Sequence, residues 1–580
     1  MSVLKSLKAA KDIDDLAALL GYKPSSLSYI LYKLPVAAKY TTFKIPKKNG
    51  GEREICAPTD QLKLLQRRLA NILYACRDEI DKGSGLGSLS HGFRRGHSIV
   101  TNAKPHHGQR FVLNLDLKDF FPSFNFGRVR GFFIKSRAFA LNDKVATLIA
   151  QIACHQNELP QGSPCSPVIS DLLANLLDVR LVKMAKAQGA TYSRYADDLT
   201  FSTNKKIFPP ALAIQADGDP DQWVLGAELL SRITTAGFTV NPDKTRMQVR
   251  TSRQLVTSLT VNAKVNVRRE YYKRTRAMCE SLFRTGQYAD VPFNKSLARR
   301  RDNAPGGHPK AASRMGITSL GLLSGHLAHI HYVKDTIDTR EEIEKRKHKT
   351  TFRKLYYRFL FYAKFVALDR PLILTEGKTD NVYLSLAIKH SPHFQPRLGT
   401  LTPKGFQSAV RFFNHLSRTR EVLELDGGSG NFKFFVLRYN EMMSTFGHKP
   451  QAHPVILLLD NDDGAKDIFA VIKQKYGIEI KPSSTDAFFH ITDNLYVVAT
   501  PHVGAKVKTC IEDLFEPSLL KVKLGGKTLN LGTPNPATEY GKHVFAEKVV
   551  RPNASTLKWH GFAPLLQRII DVLDDYKPPP

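Results

Sequence analysis

Cysteine is scarce in this chain. Cys56, Cys76, Cys154, Cys165, Cys279 and Cys510 stand apart along 580 residues with no C-x-x-C pair. That excludes a disulfide framework and a cysteine-based zinc site, and fits reduced thiols in a cytoplasm. Long apolar runs are missing as well: none approaches the roughly 18 residues that cross a bilayer. The opening MSVLKSLKAAKDIDDLAALLGYK is amphipathic and broken by charges, without the apolar core or cleavage site of a signal peptide. A soluble, cytoplasmic protein with no membrane partner is expected. Internal repeats and low-complexity tracts are lacking, which excludes solenoids and disordered tails as the main architecture. Acid is in deficit too: 53 Asp and Glu face 85 Lys and Arg, a formal net charge of +32. A surplus of that size calls for a partner carrying many phosphates.

The surplus is unevenly placed. Residues 371–580 hold 25 basic and 21 acidic residues, leaving 60 and 32 for residues 1–370. The first two-thirds is therefore the part expected to bind nucleic acid, and the last third is nearly neutral. With 42% hydrophobic residues, the length suits about three or four folded domains. YTTFKIPKKNGGEREICAPTD reads as a basic hairpin, QLKLLQRRLANILYAC as a helix, and RFVLNLDLKDFF as a strand ending in an acidic turn. SPVISDLLANLLDVRLVKMAKAQG has the pattern of an amphipathic helix ending at Gly189, and TYSRYADDLTFST that of a second hairpin. Residues 270–365 are basic and mainly helical. From 371 onward PLILTEG, PVILLLDND and NLYVVAT alternate with helical stretches, as in a parallel α/β domain.

The tip of the second hairpin sets Asp197 beside Asp198, and Asp116 ends the strand FVLNLD. Adjacent carboxylates repel unless a cation sits among them. Two divalent ions can activate a 3′-hydroxyl and stabilise a leaving pyrophosphate, and holding them takes acids from more than one strand. YADD, LDLKDFF, LPQGSPCSP and GFTVNPDKT occur in the order and spacing of reverse transcriptase motifs, so that about residues 30–300 resemble that family.

The resemblance implies a right-hand polymerase with Asp116, Asp197 and Asp198 as catalytic metal ligands for two Mg²⁺ ions. It implies Phe121 as the aromatic wall under the sugar and Gln161 and Gly162 as a close turn at the nascent base pair. Lys47, Lys48 and Arg53 would clamp the triphosphate, and Lys244 would assist pyrophosphate release. Within the family the chain is most similar to bacterial retron enzymes. NAKPH, with Asn102, Ala103 and His106, resembles their N-A-x-x-H element, and LVTSLTVN their V-T-G element, with Val256 and Thr257 matching and Ser258 in place of Gly. These two elements are implied to contact RNA. The histidines of HGFRRGHS and PHH have neither cysteine companions nor metal-ligand spacing, and read as RNA contacts or packing.

A second acidic set lies downstream. LILTEGKTD and VILLLDNDDG each end a buried strand in acids, Glu376 and then Asp460 and Asp462. In a parallel sheet such strand ends share one crevice, where carboxylates can hold Mg²⁺ and handle a proton at a phosphodiester. The pattern resembles the TOPRIM fold, a Rossmann-like parallel sheet, with Asp463 and Asp380 as neighbours. CIEDLF and TEYGKHVFA, supplying Glu512, Asp513 and Lys542, resemble further effector-site residues of its nuclease branch.

The expected architecture is thus an α+β polymerase of fingers and palm over 1–265, a helical thumb and linker over 266–365, and an α/β TOPRIM domain over 366–580. The expected function is a retron RNA-directed DNA polymerase. It would copy a partner non-coding RNA, which serves as template and primer, from dNTPs into branched multicopy single-stranded DNA. The TOPRIM domain, with one or two Mg²⁺ and a nucleic-acid substrate, would be a toxic nuclease effector in anti-phage defence. Assembly of several copies with the RNA–DNA product is implied as well. The rival readings are a TOPRIM domain that only binds RNA or oligomerises, and a group II intron-like reverse transcriptase.

Overall fold

The computed structural model describes residues 2–46, 51–84, 89–216, 219–290, 314–395, 397–403, 405–414, 417–425 and 429–579. Contacts divide the chain into two units, residues 1–269 with 333–337, and residues 270–332 with 338–580. The division at 269/270 lies close to the sequence boundary at 265/266, whereas 365/366 falls inside the second unit. The helices of 270–332 group with the C-terminal sheet, through contacts such as Phe283 with Phe446 at 5.2 Å and the Gly447 N–H donating to the Phe283 carbonyl at 2.9 Å.

In the first unit, strands β1 (Tyr40–Pro46) and β2 (Glu52–Pro58) form the expected basic hairpin. Helix α1 (Asp60–Ser84) follows. The central strand β3 (Phe111–Lys118) pairs antiparallel with β5 (Asp198–Thr203), and β5 pairs with β4 (Thr191–Tyr195). The other edge of β3 carries Thr239–Val240 and Arg246–Val249. Apolar residues on β3 pack against helix α2 (Ser166–Ala187) and its neighbours in one core that includes Leu113, Leu115, Val168, Leu172, Leu177 and Phe201. Helix α2 was expected to be amphipathic. It is instead buried on most sides, and its acids Asp171 and Asp178 lie inside with it.

The second unit is built on a five-stranded sheet. Its order is Arg411–Phe412, β6 (Leu372–Thr375), β7 (Val455–Leu459), β8 (Leu495–Ala499) and Phe489–Thr492, with the last antiparallel and the rest parallel. β6, β7 and β8 are buried along their whole length, which explains their unbroken apolar runs. Ile373, Ile456 and Val498 share a core with Tyr383, Phe545 and Leu565 from helical segments packed on one face.

Candidate functional site

Register brings the first site together. Asp116 lies opposite Asp198 across β3 and β5, and Leu115 opposite Leu199. The two-residue turn between β4 and β5 is Ala196–Asp197, with Ala196 in the left-handed region at φ 58°. The Leu117 N–H donates to the Asp197 carbonyl at 3.0 Å, tying the turn to β3. Asp116 is 6% exposed and is held from the Asn241–Lys244 turn: Lys244 Nζ donates to its Oδ2 at 2.8 Å and Asn241 Nδ2 to its Oδ1 at 3.4 Å.

Burial, and then the charge of Asp116, push the Asp197 carboxyl above its usual range. Asp198 keeps an exposed edge, yet enough protein surrounds it that desolvation, followed by Asp197 and Asp116, pushes it up to about 7. Two carboxylates that resist ionising, set beside Asp116, form a site in need of cations. Lys244, held charged by Asp116 despite partial burial, supplies one. Among the described residues no group of three or more His, Cys, Asp or Glu is set in metal-ligand geometry. The donor chemistry nonetheless fits hard divalent ions, since all three acids bring oxygen and each gains by a nearby positive charge.

Around these acids the other expected residues fall into place unevenly. Phe121 is half-buried, with its ring 5.6 Å from Phe120 and 5.9 Å from Phe93. Gln161 and Gly162 dock on the basic hairpin: the Cys56 N–H donates to the Gln161 carbonyl at 2.8 Å. At Gly162, φ is 119° and a Cβ would lie 2.9 Å from the Cys56 carbonyl oxygen, so no other residue fits without displacing the strand. Arg53 on β2 is exposed, and its charge reaches Asp197. Lys47 and Lys48 lie outside the described residues.

The residues matched to retron elements are mostly interior, which corrects the expectation that their side chains touch RNA. Asn102, His106 and Val256 are each fully buried. His106 bridges the two catalytic strands, with Nε2 at 2.7 Å from Ser193 Oγ on β4 and Nδ1 at 2.7 Å from Ser202 Oγ on β5. Asn102 Oδ1 accepts from Ser193 Oγ at 2.8 Å. Burial pushes His106 down to about 3, so it stays neutral and works as a strut for the hairpin. Only Thr257 and Ser258 reach the surface. They form the turn of a two-stranded hairpin at φ 45° and 67°, and Thr257 Oγ1 donates to the Ile99 carbonyl at 3.1 Å. That conformation explains why glycine is the usual residue at position 258. Ser258→Gly should raise stability by about 0.5–1 kcal/mol, as the left-handed penalty of a side chain outweighs the freedom glycine gains when unfolded. A lower urea midpoint for that variant would contradict this account.

Sequence reasoning missed Arg194. Its side chain is wholly buried, donating to Asp178 through Nε at 2.8 Å and Nη2 at 2.7 Å, to Asp171 at 3.1 Å and to the Ala196 carbonyl at 3.1 Å. Burial works against its charge, and the two aspartates more than offset that. The signal was present: Arg194 shares the inward phase of β4 with Tyr192, and Asp171 and Asp178 stand seven apart, two turns along one face of α2.

The second acidic set also assembles. Glu376 and Asp460 leave the ends of neighbouring strands β6 and β7, and the Asp460 N–H donates to Glu376 Oε1 at 3.2 Å. Asp460 Oδ1 accepts from the Ile511 N–H at 2.9 Å, and Lys542 Nζ lies 3.0 Å from Glu512 Oε2 with Glu512 fully buried. Burial, then Glu376, Asp380 and Glu512, push Asp460 up to about 8. Glu376 rises to about 7 and Asp380 to about 6, burial leading in both. Asp380, named in the sequence only as a neighbour, belongs to the cluster. Asp462 borders it and caps the turn at Gly464. Asp513 instead pairs with Lys506 at 2.6 Å and caps the Cys510 N–H, while Asp463 pairs with Lys466 and Lys508 on the surface.

A family described as Reverse transcriptase (RNA-dependent DNA polymerase) matches residues 45–269. Curated relatives include the retron Mx65 reverse transcriptase of Myxococcus xanthus, 36% identical over 46% of this chain and 61% of its own length. The retron Mx162 enzyme of the same organism is 36% identical over 43% of this chain and 53% of its own length. The retron Ec86 reverse transcriptase of Escherichia coli is 32% identical over 48% of this chain and 80% of its own length. The chain thus spans little more than half of the first two relatives and most of the third. Among solved structures, telomerase from Candida albicans is similar over 56% of this chain and 59% of its own, at 11% identity and a TM-score of 0.30, too slight a likeness to carry weight.

Proposed function

Since the chain belongs to the retron reverse transcriptase family, we propose that it is an RNA-directed DNA polymerase. It copies part of a partner non-coding RNA from dNTPs into branched multicopy single-stranded DNA. The observation that carries this reading is the register of Asp116 against Asp198, with Asp197 at the intervening turn and Lys244 on Asp116. Those three acids would hold two Mg²⁺ ions, which activate the 3′-hydroxyl and stabilise the leaving pyrophosphate when bound. Lys244 and Asn241 orient Asp116, Phe121 crowds the position of a 2′-hydroxyl, and Arg53 offers charge to a triphosphate. Purified chain given Mg²⁺, dNTPs and an RNA template with an annealed DNA primer should extend that primer. Absence of product would overturn the reading.

The second unit is proposed to be a TOPRIM nuclease and the toxic effector of an anti-phage system, with Glu376, Asp460, Asp462 and Glu512 as its acids, Lys542 beside them and one or two Mg²⁺. The convergence of these acids at the carboxyl ends of β6 and β7 favours it. The rival, a domain that binds RNA or oligomerises without catalysis, draws on the near-neutral charge of 371–580. Glu376→Gln and Asp460→Asn separate the two. Each replaces an ionisable acid of a crowded cluster by an amide of almost the same volume, so folding should survive. DNA synthesis should stay within about twofold while Mg²⁺-dependent cleavage of nucleic acid and phage protection are lost. Cells with either variant that still resist phage would favour the rival.

A further inference from the structure

The loop His91–His97 is built into the polymerase site in a way the proposed chemistry has not used. Its entry runs beside β4: the Arg194 N–H donates to the Leu89 carbonyl at 2.9 Å and the His91 N–H to the Arg194 carbonyl at 2.8 Å. Gly92 then passes so close to the catalytic turn that a Cβ there would stand 2.5 Å from the Ala196 nitrogen. The exit is fixed as well, since Arg94 pairs with Asp81 and Arg95 with Asp78, both on α1. Between these clamps Phe93 takes φ 59°, a left-handed conformation rare for a bulky aromatic. The result is a ring 5.9 Å from that of Phe121, which also packs on Phe120 at 5.6 Å: one neighbour comes from the loop and the other from the end of β3.

We infer that Phe93 is a positioning residue for sugar discrimination, holding the Phe121 ring in the orientation that excludes a 2′-hydroxyl. The inference rests on the polymerase reading. A ring packed on one neighbour alone can swing about its side-chain torsions, whereas one in contact with both Phe120 and Phe93 has fewer orientations open to it. The strained backbone at Phe93 is then the means by which a loop clamped to the catalytic turn delivers that second ring.

The test compares kcat/KM for dCTP and CTP on an RNA template with an annealed DNA primer, using the full chain. Alanine, unlike glycine, still carries a left-handed penalty, so Phe93→Ala removes the ring without freeing the backbone. It should lower the preference for dCTP about two- to tenfold, the range given by one aromatic pair, while kcat/KM for dCTP changes less than about twofold. Phe121→Ala should lower the preference further. Adding Phe93→Ala to it should change nothing more, because the residue acts through Phe121. Phe93→Leu keeps the apolar bulk and should reproduce the loss if the alanine variant fails to fold. An unchanged preference in either Phe93 variant, or additive losses in the double variant, would overturn the inference. Failure of the unaltered chain to extend with dCTP would instead overturn the polymerase reading.

Discussion

Asp197→Asn should lower DNA synthesis about a thousandfold or more and leave RNA binding within about twofold. The loss follows from the role of the acids: a divalent ion at a phosphoryl oxygen is worth several kcal/mol of transition-state stabilisation, and 1.36 kcal/mol is tenfold in rate. RNA affinity depends on the basic surface and its phosphate contacts, which the change does not touch. A further expectation separates lost chemistry from lost structure. Burial and the charge of Asp116 raise the Asp197 carboxyl, so this group opposes folding when ionised. The amide relieves that repulsion, and without Mg²⁺ the variant should melt no lower than the original chain. Full-length product from the variant would remove Asp197 from the site, and a lowered melting point would mean that its loss of activity reports damage to the hairpin.

Arg194→Met should destabilise the first unit by about 3–5 kcal/mol. The guanidinium is the partner of both Asp178 and Asp171 in a fully buried setting. Methionine fills much of the space and supplies no charge, leaving Asp178 with the Tyr192 hydroxyl and Asp171 with Arg77 at 3.8 Å as their remaining partners in the interior. That is a large share of the roughly 5–15 kcal/mol by which domains are stable. Urea unfolding of the full chain should show the first transition displaced. Arg232→Met, which breaks the exposed pair with Glu228, should move it by less than about 1 kcal/mol. Equal effects from the two variants would show that the buried network contributes no more than a surface pair.

The hairpin, the central strand and the parallel sheet were legible because each rests on a local pattern: alternation in TYSRY and LTFST, unbroken apolar runs in LILT and VILLL. That Asp116, Asp197 and Asp198 would come together was legible for the same reason, each sitting at or near a strand end that its own sequence marks. Interior partners were not. Whether His106 faces RNA or spans Ser193 and Ser202 depends on residues nearly a hundred positions away. Asp171 and Asp178 looked like the polar side of an amphipathic helix, since composition alone does not reveal that an arginine from another element covers them. The grouping of 270–332 with the C-terminal sheet was hidden too, because a basic helical stretch carries no mark of which neighbour it packs on.

The pairing of Asp116 with Asp198 has a consequence for how this region can vary over time. Side chains on a strand alternate between faces, so sliding β3 by one residue against β5 would turn Asp116 away and bring Leu115 or Leu117 to its place. The number of residues between the strand's anchoring points therefore matters more than most of their identities. Exchanges among aliphatic residues at Leu113 or Leu115 leave the count intact, whereas a single codon inserted or deleted between Phe111 and Asp116 breaks the alignment outright. Length, rather than composition, is what this stretch of the gene must conserve.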